Sequence, residues 1–235
     1  MTNVLMVLSA SDHWTLNDGS RHPTGFWAEE FLVPYDTFRR AGWDVTVATP
    51  GGTPPTVDKT SLGLMGGLPN KTRKLREMLA ELAPVLDSPV DLATVDEAGF
   101  DLVFYPGGHG PMEDLAHDRE SGRILADRQA SGRPVALLCH APAAILAASG
   151  GRESSPFAGY RMTGFSSREE ALNGLAKKAP WLLEDRLREA GVEYSKAMLP
   201  LRPHVVVDRN VYTGQNPQSS GKLAERLVAD LSGTA

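Results

Sequence analysis

Apolar and polar positions along the chain follow two alternating rhythms. Short apolar runs give way to stretches with an apolar residue every three or four positions. That succession marks a mostly parallel sheet covered by helices on both faces. Asn3 to Ser9 (NVLMVLS) is a near-continuous apolar run, as a central strand buried on both sides requires. Ala10 to Gly25 is polar and carries Gly and Pro, which predicts a loop. Pro34 to Ala41 is a predicted helix, with Pro34 at the first helical position, Tyr35 and Phe38 on one face, and Gly42 ending it. Asp44 to Ala48 predicts a second strand, closed by the Pro50-Gly51-Gly52 turn. Residues 53–69 read as a long surface connection. Lys71 to Leu86 is amphipathic, with Leu75, Met78, Leu79 and Leu82 at helical spacing.

The pattern continues with a strand at Phe100 to Tyr105 that runs into Pro106-Gly107-Gly108-His109-Gly110. A helix follows around Ser121 to Ser131, then a strand at Pro134 to Leu138, then a helical segment at Ala141 to Ala148 stopped by Gly150-Gly151. Tyr160 to Thr163 is a short strand, and Arg168 to Leu175 and Pro180 to Ala190 are helical. His204 to Asp208 and Val211 to Thr213 form a hairpin around Arg209-Asn210. The last helix takes Asn216 as its N-cap and Pro217 as its first residue, and runs to Leu231. There is no internal repeat or low-complexity tract, so residues 1–235 are expected to form a single α/β domain. In open sheets of this kind, ligands bind outside the carboxyl ends of the strands.

Composition narrows the function classes. The 235 residues hold 24 Lys and Arg against 29 Asp and Glu, a net charge of −5. That balance argues against binding nucleic acid or anionic lipid, which needs clustered positive charge. No apolar run is long enough to span a bilayer. The N-terminus (MTNVLMVLSASD) lacks a basic segment and turns polar early, so it reads as a first strand and not a signal peptide. A single cysteine cannot form an internal disulfide, which fits a reducing compartment and makes the cytoplasm the expected location.

That cysteine, Cys139, stands in VALLCHAPAAIL, where a buried strand ends at Leu138 and a helix starts within two or three residues. It must occupy the tight turn between them, an elbow that aims a side chain out of the sheet edge. A helix N-terminus there would favour the thiolate, the form that attacks carbon. A buried cysteine acting as a small hydrophobe is the commoner role. His140 follows, then small residues (Ala141, Pro142, Ala143, Ala144) that would leave the sulfur reachable. At the second strand end, PGGHG lets backbone approach a ligand closely, and its N–H groups could hold an oxyanion. Read alone, the same residues are a common strand terminator.

Five ordered segments together resemble the ThiJ/PfpI superfamily: TGFWAEEFLVPYDTFRRAGWDV at 24–45, FYPGGHGPMEDL at 104–115, ALLCHAPAAIL at 136–146, MTGFSSREE at 162–170 and TGQNPQSS at 213–220. The resemblance implies a flavodoxin-like three-layer sandwich of the class I glutamine amidotransferase type. It is strongest to the glutathione-independent glyoxalase (glyoxalase III) branch, some members of which are described as stress chaperones. In that branch a glutamate hydrogen-bonds the nucleophilic sulfur; the matching position is Glu30, beside Glu29. A carboxyl pressed against a thiolate in an apolar cleft should stay protonated. A third group orients the histidine, and Glu170 matches it, with Glu169 the adjacent alternative. The oxyanion donors carry over as the N–H groups of Gly108 and His140; Gly107 and His109 complete the expected substrate pocket, which Trp27, Ser166 and Trp181 would shape.

Some superfamily members hold zinc with two histidines and a carboxylate. No histidine follows Glu30 until His109, so neither metal nor cofactor is expected. True amidotransferases place the histidine far downstream of the cysteine, which argues against glutamine hydrolysis here. The resemblance implies an enzyme acting on small 2-oxoaldehydes such as methylglyoxal, forming a hemithioacetal on Cys139, and a homodimer. Two other readings use the same residues: a hydrolase or hydratase on an amide, ester or isocyanide, and a chaperone or oxidation sensor.

Overall fold

The computed structural model describes residues 2–150 and 154–233. β1 (Asn3–Val7) is followed by a small hairpin of β2 (His13–Thr15) and β3 (Arg21–Pro23), then by α1 (Ala28–Arg40) and β4 (Asp44–Thr49). Short 3-10 turns lead to α2 (Pro69–Glu81), α3 (Ala83–Leu86), β5 (Val90–Asp91) and β6 (Leu102–Tyr105). Next come α4 (Gly110–Glu113), α5 (Arg119–Ser131) and β7 (Val135–Leu138), which runs into a 3-10 helix at Ala141–Ser149. The C-terminal part holds β8 (Arg161–Met162), α6 (Ser167–Leu172), α7 (Leu183–Glu189), β9 (Glu193–Tyr194), β10 (Val205–Asp208), β11 (Val211–Gly214) and α8 (Ser220–Leu231).

Among the described residues, seven strands form one sheet in the order β10-β11-β7-β6-β1-β4-β5. Every neighbouring pair is parallel except β10 on β11. All residues of β6 and β7, and Val4 to Val7 of β1, are buried, which is why these strands read as unbroken apolar runs. The step from β1 to β4 crosses the sheet in one direction and the step from β6 to β7 in the other. Right-handed crossovers therefore put α1 and α5 on opposite faces, giving the flavodoxin-like three-layer sandwich. α1 packs on α8, and α5 packs on the 141–149 helix. The reversal between β1 and β6 opens a crevice at the carboxyl ends of the central strands. No helix among the described residues is long and apolar enough to cross a membrane.

Several elements differ from expectation. The predicted loop at 10–25 contains the β2–β3 hairpin, with Trp14 in the core. α1 begins six residues before Pro34, which lies inside it. An interior proline costs about 3 kcal/mol. Burying Phe31, Leu32 and Phe38 on the same helix returns roughly 1.5–3 kcal/mol each, so burial outweighs it. The helix predicted from Lys71 to Leu86 is two helices, interrupted at Leu82 where Pro84 cannot continue the ladder. Asn216 does not cap α8; its side-chain amide donates to Glu169 and to the Arg202 carbonyl. Gly150 ends the 141–149 helix at φ 52°, whereas Gly151 lies outside the described residues.

Candidate active site

Cys139 leaves β7 with φ 60°, a left-handed conformation shared by two other non-glycine residues among those described, Leu201 and Arg209. Such a turn costs about 1–3 kcal/mol and persists only where its surroundings over-determine it. Here both main-chain groups are engaged: Cys139 N–H donates to the Gly214 carbonyl and its own carbonyl accepts from Phe165 N–H, each at 2.8 Å. The elbow is thus clamped between β11 and the loop before α6, and the sulfur is presented at the crevice.

Gly107 and Gly108 face it from the end of β6. A Cβ at Gly107 would lie 2.6 Å from Glu30 Oε2 and 2.9 Å from Cys139 Cβ, and closer still to the Leu138 carbonyl oxygen. Only glycine lets β6, α1 and the elbow meet there. Gly108 stands at φ 101°, a conformation that favours glycine, and its backbone N–H offsets part of the rise in the thiol. The Gly107 N–H, expected in the substrate pocket, is instead committed to Glu30 Oε2 at 2.9 Å. Its role is to hold that carboxyl.

Glu30 is fully buried on the first turn of α1, and its Oε1 has no hydrogen-bond partner. Burial is the main cause that pushes the carboxyl up to about 8, against the lowering effect of the adjacent Cys139. Glu30 is therefore protonated near neutrality and can donate to sulfur. Glu29 points away and pairs with Lys71 Nζ at 2.7 Å, which separates the two adjacent glutamates. The thiol itself departs from expectation. Cys139 is 3% exposed, and burial, followed by repulsion from a charged Glu30, raises it well above an ordinary thiol. The helix N-terminus that was expected to favour the thiolate is outweighed by desolvation.

Cys139 Sγ lies 3.3 Å from His140 Nδ1, and His140 Nε2 lies 2.7 Å from Glu170 Oε2. With Nε2–H donated to the carboxylate, Nδ1 presents its lone pair to the sulfur. Burial first and then the neighbouring His109 push His140 down to about 4, so it is a neutral base at physiological pH. Burial alone would raise Glu170, but His109 and His140 together hold it well below the usual carboxylate range. His109 Nε2 donates to Glu170 Oε1 at 2.9 Å. Ligand atoms of His109, His140 and Glu170 lie within 4.8 Å of one another. Two histidines and a carboxylate, the donor types of the zinc set that the sequence spacing had argued against, therefore do converge here.

Glu169, the alternative orienter, is engaged elsewhere. Its carboxylate accepts from Ser166 N–H and Oγ, Gln215 Nε2, Asn216 Nδ2 and Leu201 N–H, all within 3.0 Å. Ser166 is accordingly the cap of α6 and not a pocket residue, and Trp181 packs against the core. Trp27 is half-buried on the site side, its backbone N–H donating to the Gly107 carbonyl, while its indole N–H has no hydrogen-bond partner. Residues that sequence reasoning missed are Trp14, stacked on His109 with centroids 5.1 Å apart, and His22, edge-on to His109 at 6.2 Å. Both come from the β2–β3 hairpin, which Glu113 of α4 ties down through Thr15 N–H and Oγ1 at 2.8 Å each. The signal was present in Asn17-Asp18-Gly19, a turn sequence between two three-residue strands.

The chain is similar to known proteins. A protein/nucleic acid deglycase HchA from Pseudomonas aeruginosa is 29% identical over 243 residues, 97% of this chain and 81% of that protein. The solved structure of glyoxalase III from Candida albicans superposes with a TM-score of 0.81 at 25% identity, covering 97% of this chain and 96% of that one. The Francisella tularensis rapid encystment protein of 24 kDa gives a TM-score of 0.86 at 27% identity, over 98% and 99% of the two chains. The DJ-1/PfpI family profile matches residues 23–230, from the hairpin through the elbow to the last helix, and the chain belongs to that family.

Proposed function

We propose that the protein is a cofactor-independent enzyme of the glyoxalase III type, converting 2-oxoaldehydes such as methylglyoxal into 2-hydroxy acids. The observation that carries this reading is the buried, protonated Glu30 against a thiol whose other neighbour is a neutral imidazole. Two proton carriers flank one sulfur in a water-poor site, which is what moving a hydrogen between adjacent carbons demands.

In this scheme Cys139 sulfur adds to the aldehyde carbon, C1, as its proton passes to His140 Nδ1 and on to the carbonyl oxygen, giving a hemithioacetal. Glu30, in the ionised fraction that a carboxyl titrating at about 8 keeps near neutrality, takes the proton from C1 and returns it to C2 through an enediol. The C1 hydroxyl proton passes by way of His140 to the C2 oxygen. The product is a thioester of the 2-hydroxy acid; water cleaves its C1–S bond and restores the thiol. C1 is oxidised and C2 reduced, so no external hydride acceptor is needed. The Gly108 and His140 N–H groups are the donors proposed for the C1 oxygen, and Glu170 anchors the base.

The name of the Pseudomonas relative raises glycated protein or nucleic acid as a second substrate class. The buried sulfur favours the small free aldehyde. Lactate release from methylglyoxal should be lost in Cys139→Ala, and full activity in that variant would sink the proposal. Ester, amide and isocyanide substrates run alongside decide whether the same elbow is used for hydrolysis instead.

A further inference from the structure

One arrangement in the site is left unused by the chemistry above. A single carboxylate serves two imidazoles, Glu170 accepting from His140 Nε2 at 2.7 Å on one oxygen and from His109 Nε2 at 2.9 Å on the other. The His109 ring lies between two others, with His140 at 4.0 Å and Trp14 at 5.1 Å, centroid to centroid. A carboxylate held by one partner can swing about its terminal torsion, which has a broad minimum. Held at both oxygens, it has one orientation.

We infer that His109 is a positioning residue: by occupying one oxygen of Glu170 it fixes the other on His140 Nε2, and so keeps His140 Nδ1 bare and aimed at the Cys139 sulfur. It acts through Glu170 and His140. The kinetic consequence rests on the thiol chemistry proposed above; the effect on the His140 ring does not. His140 also feels the charges around it. On its own turn it is preceded by Cys139; from the loop after β6 it faces His109, and from α6 it faces Glu170 and Glu169. Burial and His109 oppose its protonation while the two glutamates favour it.

Two substitutions of opposite character separate positioning from space-filling. His109→Gln keeps an N–H donor for Glu170 but loses the flat ring. His109→Phe keeps a ring between Trp14 and His140 but donates nothing. Positioning predicts that the Phe variant loses roughly tenfold to a hundredfold in kcat/KM, mainly in kcat, and that the Gln variant retains most of it. Space-filling predicts the reverse order. Nitrogen-15 spectra of the imidazoles give a second readout. His140 should be a single Nε2–H tautomer in the wild type and in His109→Gln, and a mixture in His109→Phe. In both variants its titration midpoint should rise from about 4 toward the ordinary 6.5. A Phe variant matching the wild type in tautomer and rate would overturn the inference. Should the wild type fail to turn over methylglyoxal, the proposed reaction falls, and the tautomer comparison still decides what His109 does.

Discussion

Replacing Glu30 by Gln separates the cost of this site from its use. Gln has the size of a protonated glutamic acid, with a carbonyl to accept the Gly107 N–H and an amide N–H to face the sulfur, so the fold should accept it. The wild-type carboxyl titrates at about 8 when folded and near 4.5 when free. Between those values the folded chain holds a proton that the unfolded chain has lost, so stability falls as pH rises through that window. At about 1.4 kcal/mol per pH unit, the penalty is about 3 kcal/mol at pH 7 and about 5 kcal/mol beyond pH 9. Urea unfolding followed by tryptophan fluorescence at pH 4, 7 and 9 measures it. The two proteins should be nearly equal at pH 4, and the Gln variant should be the more stable by those amounts at higher pH. Taking the difference between two chains cancels the titrating groups that do not feel Glu30; Cys139, which does, stays protonated over this range. Methylglyoxal turnover should fall by about 10² to 10⁴ in the same variant, since an amide cannot carry the proton. A stability difference independent of pH, or one that favours the wild type as pH rises, would refute the account of a desolvated neutral acid.

Two further outcomes follow from the same geometry. Gly107→Ala drives a methyl group into Glu30 Oε2, Cys139 Cβ and the Leu138 carbonyl, and should destabilise by about 1–3 kcal/mol while lowering turnover; an unchanged melting temperature would contradict the packing described. The pH profile of kcat/KM should fall steadily below about 8 as Glu30 takes up a proton, and more steeply below about 4 as His140 takes one up as well; a second break at the ordinary histidine value of 6.5 would show that His140 is not the depressed base described here.

Much of this was legible because it is local. The runs at β1, β6 and β7 are buried on both faces, so their composition betrays them, and a cysteine set in the turn between strand and helix follows from chain direction alone. Glu30 was reachable only by resemblance. Which of two adjacent glutamates faces inward depends on where α1 begins, and Pro34 misplaced that start. Thiol ionisation was misjudged for a different reason: the elbow's position is a local property, whereas its desolvation is set by α1, the β6 loop and the segment before α6, all distant in sequence. Glu169 shows the same limit. Its donors come from residues 166, 201, 215 and 216, and no periodicity announces that they converge on one carboxylate.

The hairpin that covers His109 has a consequence for how such a protein changes over time. The residues proposed to react follow β6 and β7 or lie on α1 and α6, while Trp14 and His22 belong to an eleven-residue excursion, residues 13–23, held by Glu113 of α4 and by Asn17 on the Lys177 and Lys178 carbonyls. The roof and the reactive floor are therefore inherited on separate pieces of chain. Exchanging the excursion would change what lies over His109, and through His109 and Glu170 the setting of His140, without replacing any residue that faces the sulfur.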